Sequence, residues 1–81
     1  STPELDQWWS TALFDVAQAM ENRRYADIPA ALDAKKVQLP GLAVSTEMDD
    51  QYVYVRLTDG THVKNVLLPR QPQRMGVWPN E

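Results

Sequence analysis

The apolar pattern of this chain changes period near its middle. Residues 3–22 repeat apolar side chains at steps of three and four, as a helix with one buried face does. Residues 42–68 instead alternate, in short runs around an Asp59-Gly60 turn. The two patterns together predict an α+β domain. It has one long N-terminal amphipathic helix, a short second helix over the ambiguous residues 25–41, and a three-stranded antiparallel β-meander. Residues 1–68 form the domain, and residues 69–81 an extended proline-rich C-terminal arm.

Thr2-Pro3-Glu4 is a helix start. Thr2 can cap through its hydroxyl, Pro3 suits the first helical position, and Glu4 sits at the positive end of the dipole. The stripe runs Leu5, Trp8, Trp9, Ala12, Leu13, Val16 and Met20. Adjacent Trp8 and Trp9 diverge by about 100° and flank the core seam. The helix is expected to end near Asn22-Arg23-Arg24, where cations face the negative end. Phe14 falls nearly opposite the stripe, so its ring lies in water unless the arm or a partner covers it. Asp27-Ile28-Pro29 is a candidate cap for the second helix. Ile28, Leu32 and Val37 are its only packing residues, and Leu39-Pro40-Gly41 ends it.

Leu42 to Thr46 reads as the first strand, Gln51 to Thr58 as the second and Thr61 to Leu68 as the third. Turns fall at Met48-Asp49-Asp50 and Asp59-Gly60. The register of the last hairpin decides which surface the sheet shows. A two-residue loop puts His62 and Lys64 beside Val53, Val55 and Leu57. A three-residue loop with Gly60 left-handed puts Val63 and Leu67 there instead. Burying a lysine beside valine is costly, which favours the three-residue loop. The inward face is then Val53, Val55, Leu57, Val63 and Leu67. The outward face is Tyr52, Tyr54, Arg56, His62, Lys64 and Val66. Beyond it, prolines in 69–79 favour an extended arm carrying Arg70, Arg74, Met75 and Trp78.

A single domain of 81 residues buries only about 60–65% of its unfolded surface. Cores this thin gain from disulfides, metals or a partner chain. There is no cysteine, which removes disulfides and thiolate zinc sites and fits a reducing, cytoplasmic setting. No apolar run reaches the roughly 20 residues of a membrane span, so no membrane partner is expected. A chain starting at Ser1 reads as trimmed or as a fragment. The net charge of −3 is uneven: residues 1–50 hold nine acids and four bases, residues 51–81 two acids and four bases. Such a split suggests two faces with different company.

Catalytic chemistry is hard to assemble. His62 is the one histidine, and neither a Gly-x-Ser-x-Gly elbow nor a glycine-rich phosphate loop occurs. Asp59-x-x-His62 is half a metal site on a turn, with no third ligand in view. Asp49-Asp50 lacks the ligand spacing of a calcium loop and reads as a solvated turn. No enzyme activity and no cofactor are expected.

The remaining features point to recognition. Helix, linker and meander recur among small bacterial and phage accessory proteins, an analogy of architecture alone. The expected function is a non-enzymatic protein-protein interaction module: a regulator, an inhibitor or an assembly subunit. Its partner is another protein or a second copy of itself. The partner-binding residues are Phe14, Tyr52, Tyr54, Arg56, Lys64, Arg70, Arg74 and Trp78. The alternative is a nucleic-acid-binding module that stacks bases on the tyrosines and neutralises phosphates with Arg56 and Lys64. The acidic total weighs against it.

Overall fold

The computed structural model describes residues 1–70; Arg74, Met75 and Trp78, and the expected arm from 71 onward, lie outside the described residues. The order is α1 (Pro3–Glu21), a 3₁₀ turn (Tyr25–Asp27), α2 (Ile28–Lys35) and a second 3₁₀ turn (Lys36–Gln38). Strands β1 (Ala43–Met48), β2 (Tyr52–Thr58) and β3 (Val63–Pro69) follow. They form an antiparallel sheet in the order β1-β2-β3, the predicted helix-plus-meander fold. β3 runs through Pro69, one residue into the segment expected as arm.

Thr2 is extended, and its hydroxyl accepts from the Leu5 N–H at 3.2 Å, while Pro3 opens the helix. α1 ends through backbone geometry, not through cations in its last turn. The Arg23 N–H donates to the Met20 carbonyl and the Arg24 N–H to that of Ala19, the paired bonds of a Schellman ending. Arg23 takes the left-handed position (φ 58°) where glycine is usual.

One face of the sheet carries both helices. The core joins Leu5, Trp8, Trp9, Ala12 and Val16 of α1, Ile28 and Leu32 of α2, and Val53, Val55 and Leu57 of β2, with Tyr25 and Leu42 at its margins. Both tryptophans are buried. The Trp8 indole N–H donates to the Lys35 carbonyl at 2.8 Å. That bond lies at the last turn of α2 and ties the two helices together. Two residues expected to pack from the helical half are left out of it. Leu13, on the margin of the stripe, is 37% exposed, and Val37 is 81% exposed.

The hairpin register differs from the expected one. Thr58 pairs with Val63, Leu57 with Lys64, Val55 with Val66 and Val53 with Leu68. The loop therefore has four residues, Asp59–His62. Asp59 Oδ1 accepts from the Thr61 and His62 N–H groups, and Gly60 takes φ +96°. Lys64, Val66 and Leu68 face the helices. Val63 and Leu67, expected inside, face outward. The expected register would have put Asn65, in mid-strand, on the inward face as well. A short amide there would exchange water for half-buried apolar surroundings. Lys64 lies near the strand end, where its stem spans the margin of the sheet and its ammonium meets Asp6 of α1 at 2.9 Å. The cost that seemed to exclude an inward lysine is thereby avoided.

Candidate functional site

Among the described residues no helix lies over the outward face of the sheet. Strand alternation and the observed register arrange it in rows: Ser45–Arg56–Asn65, then Glu47–Tyr54–Leu67, then Tyr52–Pro69. Tyr54 is 42% and Leu67 56% exposed. Ser45, Glu47, Tyr54, Arg56, Asn65 and Leu67 line an open hollow of about 450 Å³. The Tyr52 and Tyr54 rings lie 6.1 Å apart in a tilted arrangement, a favourable aromatic geometry.

The predicted partner-binding residues do not form one surface. Tyr52, Tyr54 and Arg56 share the outward sheet face. Phe14, 73% exposed, points away from the sheet on the far side of α1. It stands beside a small hollow with Ala17, Gln18 and Glu21. Lys64 is removed from the outward face and paired with Asp6, and His62 lies in the loop rather than on a strand. Arg70 is at the end of β3. Its guanidinium lies 4.3 Å over the Tyr25 ring and donates to the Asp49 carbonyl, while its N–H donates to the Gln51 carbonyl at 2.8 Å. It joins the sheet to the first 3₁₀ turn. Leu67 and Asn65 are the face residues that sequence reasoning missed. A one-residue change of register exchanges every side chain of a strand between faces.

Asp49 organises the β1–β2 turn. One carboxylate oxygen accepts from the Gln51 and Tyr52 N–H groups, both at 2.8 Å, and the other from the Tyr54 hydroxyl at 3.0 Å. These bonds, the Gln51 N–H first, hold the Asp49 carboxyl below its ordinary 3.8. The same contact raises the Tyr54 hydroxyl above its ordinary 10.0. Asp59 is lowered chiefly by the His62 N–H, and Asp6 by the Ser1 hydroxyl and then Lys64. A lowered carboxyl contributes stability that is present above its unfolded value and is lost as pH falls through its folded value. The raised tyrosine contributes below its unfolded value and loses that contribution as pH rises through the folded one. The urea midpoint is therefore expected to stay level down to the ordinary carboxyl value and to drop below it. Asp49→Asn is expected to flatten part of this acid limb. Midpoints of both proteins near neutrality and at about pH 3 check it; parallel falls would remove Asp49 from the account.

The Asp59 and His62 side chains approach to 3.4 Å and brace the loop. Among the described residues no group of three or more His, Cys, Asp or Glu side chains is placed to hold a metal ion. No helix there is long and apolar enough to cross a membrane. Comparison with known protein families, with characterised proteins and with solved structures finds no match to this chain.

Proposed function

We propose that this chain is a small, non-enzymatic protein-interaction module, acting in the cytoplasm, and that the outward face of its sheet meets the partner. The observation that carries this reading is the row of Tyr54 and Leu67 beside Arg56, which no other described residue covers, around the hollow of about 450 Å³. Tyrosine and arginine are the residue types that anchor protein interfaces, because they bring area and directed polar groups together. Phe14 offers a second, separate contact on the opposite side of the molecule. The nucleic-acid alternative loses ground with the observed register. Without Lys64 and His62, the face keeps one cation, Arg56, accompanied by the carboxylate of Glu47.

The test is affinity capture from the cells that make the protein, with mass identification, comparing wild type, Tyr54→Ala and Phe14→Ser. The expected result is a protein retained by the wild type and by Phe14→Ser, and lost with Tyr54→Ala. A partner insensitive to Tyr54→Ala would move the interface off the sheet. Recovery of nucleic acid, with affinity falling by orders of magnitude between about 50 and 200 mM salt, would replace this reading with the alternative.

A further inference from the structure

The face is one open surface of the sheet; the free edge of β3 is another. The Asp59 N–H donates to the His62 carbonyl at 3.3 Å and the Arg70 N–H to that of Gln51 at 2.8 Å. These bonds bracket the β2–β3 ladder, within which hydrogen-bonded and non-bonded pairs alternate. The paired positions of β3 are therefore 64, 66 and 68. The N–H and C=O groups of Val63, Asn65 and Leu67 point away from β2, and no other described residue takes them up. Pro69 occupies the next edge-facing position, where its missing N–H interrupts no bond to β2.

Exposed edges are usually blunted by charges, prolines or bulges, because they template further pairing. Among the described residues the β3 edge is open over three positions. Val63, Asn65 and Leu67 carry no charge, and the nearby cation, Lys64, is turned inward to Asp6. The other edge, on β1, has α2 against it and Glu47 on its strand.

We propose that the β3 edge pairs with the β3 edge of a second copy, antiparallel about Asn65, giving a continuous six-stranded sheet. The choice of a second copy rests on self-complementarity. A two-fold axis at Asn65 sets Val63 against the partner's Leu67 and Asn65 against the partner's Asn65. Every edge-facing N–H from 63 to 67 then meets a carbonyl. No like charges oppose, since Lys64 lies beside the partner's Val66. The half-exposed Leu67 gains an apolar neighbour, and the two amides can bond each other. The contact is small, so the dimer is a weak one. It uses the edge and leaves the outward faces of both copies side by side and open, so it goes beyond the reading of the face.

Sedimentation equilibrium from about 1 µM to about 1 mM tests it. The wild type is expected to pass from monomer to dimer. Asn65→Lys, which sets two ammonium groups opposite each other at the axis, is expected to weaken the dimer about tenfold or more. Tyr54→Ala, which strips the face and spares the edge, is expected to leave it unchanged, so failure of the face reading and failure of this one are separable. A single-cysteine variant decides independently of how Asn65→Lys folds. Facing Cα atoms in such a pair lie about 5.5 Å apart, within disulfide reach, and the chain has no other cysteine. Asn65→Cys is expected to cross-link into dimers on mild oxidation, and Val37→Cys, at an exposed site off the sheet, is not. A wild type monomeric throughout, a dimer indifferent to Asn65→Lys, or equal cross-linking by the two cysteine variants would overturn the proposal.

Discussion

Trp8→Ala is expected to remove a large part of the domain's stability at 25 °C. Trp8 is 3% exposed, and replacing a buried tryptophan with alanine costs about 3–5 kcal/mol in lost transfer energy and residual cavity. The substitution also removes the indole N–H that bonds the Lys35 carbonyl. At about 0.05–0.15 kcal/mol per residue, a chain this long has about 4–12 kcal/mol in all. The loss is thus a large part of the total, and at the bottom of that range it leaves almost nothing. Trp8→Phe keeps most of the ring and removes the indole N–H. Its expected cost is about 0.5–1.5 kcal/mol, that of one lost hydrogen bond. Urea unfolding followed by circular dichroism should order the midpoints as wild type, Trp8→Phe, Trp8→Ala. A Trp8→Ala protein within about 1 kcal/mol of wild type would mean that the α1–α2 junction is not the keystone of the core.

What the sequence discloses here depends on the range of the forces involved. The start of α1 was legible because its signals are local: a hydroxyl three residues from the N–H it caps, a proline whose missing donor is not needed, and a stripe of fixed period. Phe14 was legible for the same reason, since its angle on the helix alone places it opposite the stripe. The edges of that stripe were not. Leu13 lies at the boundary of the buried sector, and whether it is covered depends on how far the sheet extends beneath the helix. The end of α1 was placed correctly for an incomplete reason, because an arginine in the left-handed position cannot be read from charge.

The sheet face shows the larger gap. Tyr52, Tyr54 and Arg56 were identified because alternation along β2 is a local property. Their neighbours on β3 depend on the loop, and the choice between loops turned on Lys64. Counted as a point charge, an inward lysine is excluded by the cost of burial. The four-carbon stem of Lys64 instead carries its ammonium to Asp6, 58 positions earlier in the chain. The competing register carries a cost of its own, an inward Asn65. An amide in mid-strand has no comparable reach. The same non-locality hid Arg70, whose partners Tyr25 and Asp49 come from two other elements.

Leu32→Ala is expected to destabilise the whole domain, not α2 alone, by about 2–5 kcal/mol. α2 has eight residues, too few to persist as an isolated helix. Its hold on the domain is Ile28 and Leu32, both 0% exposed, together with the Trp8 indole on its last turn. Leu32 belongs to the same cluster as Val53, Val55 and Leu57, so a cavity at its position is felt by the strand as well as by the helices. Native-state hydrogen exchange distinguishes a shared loss from a local one. Protection of the amides of α2 and of the central amides of β2 should fall together and by similar free energies. Val37→Ala, at a site in water just past α2, should change neither by more than about 0.5 kcal/mol. If Leu32→Ala released α2 while β2 kept its full protection, α2 would be a separately docked element. The core that supports the outward sheet face would then rest on α1 alone.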